Sequence, residues 1–202
     1  MRNKKKIFML AMDALFLAVI IIMTFTPLGF VTLFGIVSNT LIHIPVLIGA
    51  LLFGWKRGLV YGIFFGLCSM FKAITSPIGI LDPYFVNPLV SVLPRAIFGL
   101  LSGLLFDFIK RLPRKVNIPL LYVSMFVMTV LHTIITLGIL SLVNLTEISA
   151  LAGEYYGGVF LFIWAVLITN GVIEGGLAVL VAPSAYLPLK TFLNRKYKMD
   201  IK

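Results

Sequence analysis

The sequence predicts an all-α membrane protein, a single bundle of six transmembrane helices, and three observations carry that prediction. Of its 202 residues 60% are hydrophobic and only 12% are charged, about half the charge of a water-soluble domain. Apolar runs recur along the whole chain at lengths near the ~20 residues that one bilayer crossing needs. Lys and Arg gather in every second turn between those runs.

Helix 1 is expected over 7–23, ended by the Pro27 and Gly29 stretch, since both residues punctuate a helix. The basic stretch Met1 to Lys6 looks like the start of a signal peptide, but the apolar segment after it is long and lacks a small-residue cleavage site. It therefore reads as helix 1. A moderately apolar outer loop reaches Val37, and helix 2 covers 38–53 up to the turn Gly54-Trp55-Lys56-Arg57-Gly58. Helix 3 follows over 59–73. The segment from Thr75 to Pro88 carries three prolines, a glycine and Asp82, so it reads as an outer loop. Helix 4 takes 89–109, the basic turn Lys110 to Lys115 separates it from helix 5 over 119–143, and a polar loop at 144–157 leads to helix 6 over 158–182.

Orientation follows from the basic residues. The N-terminus, the 54–58 turn, the 110–115 turn and the tail from Lys190 hold fifteen of the seventeen Lys and Arg. By the positive-inside rule that side, with both termini, is cytoplasmic. The opposite side carries Asp82, Glu147 and Glu154. The net charge of +10 thus reports topology and not a nucleic-acid partner. Cys68 is the one cysteine, so no disulfide framework exists.

No phosphate-binding Gly-x-x-x-x-Gly-Lys loop, no His-Glu-x-x-His and no Gly-x-Ser-x-Gly pattern is present, and no metal site or enzymatic role is expected. The informative residues are those inside the helices, because intramembrane charge is costly and marks a ligand path or a pairing. Arg95 lies about seven residues into helix 4, roughly 10 Å deep. His132 and Asn170 fall at comparable depth, Asn87 stands at the mouth of helix 4, Asn39 and His43 begin helix 2, and Ser69 with Lys72 ends helix 3. These polar groups share the outer half of the bundle. An apolar inner half excludes an open water channel, which needs polar lining throughout.

Each residue also has a structural alternative. Arg95 can pair with Glu174, although Glu174 sits about 16 residues into helix 6, which reads as too deep for the cluster. Lys72 can snorkel to headgroups, and His132 and Asn170 can simply bond between helices. Read together as a site, the cluster is positive, and the guanidinium fork of Arg95 suits a carboxylate or phosphate. A stand-alone secondary carrier is a competing class, though the two repeated halves common in such carriers are absent. An intramembrane enzyme using Glu174 and His132 as an acid–base pair is another.

The stretch Asn87-Pro88-Leu89-Val90-Ser91-Val92-Leu93-Pro94-Arg95, with His43-Ile44-Pro45 and Gly66-Leu67-Cys68-Ser69-Met70 before it, resembles the substrate-binding subunits (S components) of energy-coupling factor (ECF) vitamin transporters, and most closely their pantothenate-specific members. The resemblance runs over nearly the full chain. It implies a bacterial plasma-membrane protein that captures a vitamin from outside under a closing loop between helices 1 and 2. Transport would then need a transmembrane coupling subunit (EcfT-like) and two ATPases (EcfA-like), so ATP is used by partners and no cofactor is held here. Family members dock through an Ala-x-x-x-Ala face of helix 1, which Ala14 and Ala18 match, with Ala11 on nearly the same face. The resemblance implies pantothenate, whose single carboxylate would meet Arg95. Pyridoxine, hydroxymethylpyrimidine or another vitamin of the same class are the alternatives.

Overall fold

The computed structural model describes residues 2–31, 39–77 and 79–197, with side chains described over 6–29, 40–77, 79–113 and 115–195. Helix α1 (Arg2–Phe25) gives way to a 3-10 turn (Pro27–Gly29). A two-residue strand β1 (Phe30–Val31) then pairs antiparallel with β2 (Asn39–Thr40), Phe30 opposite Thr40. Helices α2 (His43–Phe53) and α3 (Trp55–Thr75) follow, then a 3-10 turn (Asp82–Val86), α4 (Pro88–Ile109) and α5 (Arg114–Val143). Beyond α6 (Leu145–Tyr156), α7 (Val159–Val166) runs through a π-helical turn (Leu167–Gly171) into α8 (Val172–Tyr197).

Among the described residues, five helical stretches are long and apolar enough to cross a membrane: α1, α3, α4, α5 and the continuous α7–α8 rod. Helix α2 is the exception. At 11 residues it spans about 16 Å, half a hydrocarbon core, and ten of those residues are buried. The expected start of helix 2 at Ser38 lies outside the described residues, and Asn39 and Thr40 are strand instead of helix. The expected polar loop at 144–157 is mostly helix: α6 buries Ile148 and Ala152, four residues apart, and stops at Gly157 in the left-handed conformation, φ 77°. The last helix continues past 182, through Pro183 and Pro188, to Tyr197.

The α3–α4 pair is the most extensive helix contact in the molecule, and glycine is the reason. A Cβ on Gly62 would strike the Arg95 carbonyl oxygen, one on Gly58 the Gly99 carbonyl, and one on Gly103 the Trp55 backbone. With hydrogen in those places the two backbones touch, as small-residue faces permit. Ser91 Oγ then donates across the seam to the Gly66 carbonyl at 3.0 Å.

The basic turns meet at one end of this bundle. Arg57 Nε bonds Asp13 of α1 at 2.7 Å, the Trp55 amide donates to Asp107 at 3.3 Å, and Lys110 lies 3.5 Å from the same carboxylate. Glycine packing and these pairs lock the basic end. A cavity opens in the other half.

Candidate functional site

The cavity is lined by side chains from each surrounding element: Ser69, Lys72 and Ala73 from α3, Arg95 from α4, and His132, Thr133, Thr136 and Leu137 from α5. Val166 of α7, Asn170 of the π turn, Glu174 of α8, Thr40 of β2, and Gly79, Leu81, Asp82 and Phe85 of the outer segment complete it. Helical spacing explains the grouping, since residues three or four apart share a face. The space between its atoms, counted together with its open mouth, comes to about 840 Å³.

Arg95 is set by the residue before it. Pro94 has no backbone N–H, so the carbonyl four residues back loses its helical partner. That carbonyl is Val90's, and Arg95 Nη1 donates to it at 2.8 Å. The guanidinium lies 4.7 Å from the Phe85 ring centre and 5.6 Å from that of Phe65, so cation–π attraction holds it. Its Nε, on a side chain only 6% exposed, has no hydrogen-bond partner among the described residues.

His132 is packed against Phe98, ring centres 4.7 Å apart, with His43 behind it at 6.4 Å. Both its ring nitrogens and the Thr136 hydroxyl are buried without partners among the described residues. Each such orphan costs about 1–3 kcal/mol, and Arg95, His132 and Thr136 present theirs around one cavity. A polar ligand would relieve them together.

Thr40 ties the strand pair to this wall. Its N–H donates to Glu174 Oε1 at 2.5 Å, and its carbonyl lies 2.6 Å from His43 Nδ1. A carbonyl only accepts, so that nitrogen carries the proton. Asn170, with 6% exposure, accepts from Thr169 Oγ1 at 3.0 Å through Oδ1. Among the described residues no group of three or more His, Cys, Asp or Glu could hold a metal ion.

Five of the residues singled out in the sequence, Arg95, His132, Asn170, Lys72 and Ser69, line this one cavity. Asn87 does not: its side chain accepts from the Leu89 amide at 2.9 Å and caps α4, satisfying an otherwise free helix-start donor. His43 is fully buried one layer behind the wall. Asn39 pairs through its backbone with Val31, and its side chain lies outside the described ones. Ala11, Ala14 and Ala18 are exposed along α1, away from the cavity, beside the exposed Leu10, Leu15 and Ile22.

Sequence reasoning missed Thr40, Thr133, Thr136, Asp82 and Phe85 as lining residues and judged Glu174 too deep. Spacing could have found two of them, since Thr136 follows His132 by four and Glu174 follows Asn170 by four. The expectation of a positive cluster is also corrected. Lys72 and Arg95 share the cavity with two carboxylates, Asp82 and Glu174.

The family model described as "ECF transporter, substrate-specific component" matches residues 8–186. A pantothenate transporter of Leuconostoc mesenteroides subsp. mesenteroides is 33% identical over 109 residues, covering 52% of each chain. A pantothenic acid transporter of Lactococcus lactis subsp. cremoris is 31% identical over 78 residues, 37% of this chain and 40% of that one. The matched stretch thus spans about half the length of these relatives or less.

Proposed function

The chain belongs to the substrate-specific components of ECF transporters, and from that premise we propose that its cavity captures pantothenate for import. One observation carries the reading: a buried guanidinium with a donor to spare stands at the same cavity as the unpartnered His132 and Thr136. Pantothenate has one carboxylate, an amide and hydroxyls. Its carboxylate would take the Arg95 Nε donor, and its polar remainder would reach His132, Thr136 and Asn170, with Lys72 and Ser69 near the mouth. The names of the two relatives point to the same vitamin. Pyridoxine and hydroxymethylpyrimidine are neutral and would leave the spare Arg95 donor without a carboxylate.

The test is direct binding of water-soluble vitamins to the purified chain. Saturable pantothenate binding at micromolar concentration or below is expected, and Arg95→Ala should abolish it while the protein remains folded. Saturable binding of another vitamin with none of pantothenate would overturn the assignment.

The same reading gives the chain six crossings with both termini cytoplasmic. Helix α2, extended by the strand pair, serves as the sixth crossing, because it leads from Thr40 at the cavity to Gly54 at the basic end. An impermeant thiol reagent added outside should label a cysteine at Glu154 and spare one at Arg111 in a Cys68→Ser background. Energy would enter through partners, a coupling subunit seated on the Ala11, Ala14 and Ala18 face of α1 and two ATPases. The chain itself needs no cofactor, and the membrane of residence is the bacterial plasma membrane.

A further inference from the structure

Counted as fully ionised groups, the side chains around the cavity balance in charge before any ligand arrives. Two cations, Lys72 and Arg95, and two carboxylates, Asp82 and Glu174, line it. Each cation lies within the electrostatic reach of a carboxylate, Lys72 of Asp82 and Arg95 of Glu174. An arriving monoanion therefore adds one negative charge that no fixed cation is free to offset. In a poorly solvated site two carboxylates sharing one cation do not both stay ionised, so a proton is the missing partner.

Geometry selects which group receives it. From α8, Glu174 is 5% exposed; it shares the cavity with Arg95 of α4, Lys72 of α3, His132 of α5 and Asp82 of the outer turn, accepts the Thr40 amide of β2, and has His43 of α2 beside its backbone. Asp82 is half-buried near the mouth, accepts the Gly79 amide at 2.9 Å, and already faces Lys72. His43 donates through Nδ1 to a carbonyl and stands behind the wall. A ligand carboxylate bound to the spare Arg95 donor would crowd Glu174 above all.

We propose that Glu174 takes up one proton from solvent when an anionic vitamin binds at Arg95, making capture by this subunit proton-linked. The bound pair is then one guanidinium, one ligand carboxylate and one neutral carboxylic acid, which can donate its proton to the ligand as a hydrogen bond. The inference rests on the reading of the ligand as a carboxylate such as pantothenate.

Calorimetric titration of the purified full chain with pantothenate, in buffers of different ionisation enthalpy between pH 6 and 9, tests it. The expected result is proton uptake that rises toward one per ligand as pH increases, with affinity falling by up to tenfold per pH unit in that limb. In Glu174→Gln the uptake should vanish and affinity become insensitive to pH. Pantothenate binding without proton uptake at any pH, or uptake that persists in Glu174→Gln, overturns the inference and leaves the functional reading standing. Absence of pantothenate binding across the range overturns both. Should Glu174→Gln fold poorly, infrared difference spectra of the unmodified chain decide: a protonated-carboxyl band must appear on adding pantothenate and survive Asp82→Asn, and its absence refutes the proposal.

Discussion

Pro94 and Arg95 work as a pair at the scale of single residues. An isolated arginine in an apolar helix would wander or snorkel, but here the proline frees the Val90 carbonyl that fixes the guanidinium. Pro94→Ala would supply the absent N–H, return that carbonyl to the helix ladder and release the arginine. We expect pantothenate affinity to drop by about tenfold, the weight of one charge-assisted hydrogen bond, with helix content unchanged and thermal stability equal or higher. Binding as tight as in the parent would show that Val90 does not orient Arg95. The two prolines near the start of α4 thus differ: Pro88 opens the helix after the Asn87 cap, whereas Pro94 prepares the site. Both were visible in the sequence, but the free carbonyl matters only because Arg95 follows it and turns back to it.

At the scale of elements, the α3–α4 seam decides where Arg95 can stand. Gly62 meets the Arg95 carbonyl itself, so a larger residue there must push α4 away from α3 and drag the guanidinium with it. Gly62→Leu should lower the yield of folded protein and reduce binding, while Gly138→Ala and Gly176→Ala, which have nothing within 4 Å of an added Cβ, should be silent in a thermal-shift assay. Equal stability for all three would show that the seam is looser than drawn. The sequence made the glycine spacing legible but not its partner. Helix α6 shows the opposite failure. Its signals were present, Glu147 in the first turn and Gly157 beyond the last, yet its Thr, Glu and Ser residues looked like loop because only half of this short helix is apolar.

The proposed function gives the whole molecule two working faces, an open cavity in one half and an exposed small-residue stripe on α1. They are separate, since Ala11, Ala14 and Ala18 contribute nothing to the cavity lining. Replacing Ala14 and Ala18 together with Leu should therefore abolish co-purification of the coupling subunit while pantothenate binding stays intact. Retention of the complex would place the contact elsewhere. Composition, apolar run lengths and the alternation of basic turns determined by themselves that this chain is a multi-pass helical membrane protein, because the bilayer imposes those constraints locally on each segment. They also exposed Arg95, His132 and Asn170, since a polar group among apolar neighbours is conspicuous in one dimension. Tertiary structure alone decided the rest. Asn87 became a cap, His43 moved behind the wall, and Glu174 joined Arg95 in the cavity lining, because β2 carries the Thr40 amide to that carboxylate from 134 residues away in sequence, a proximity that no local spacing encodes.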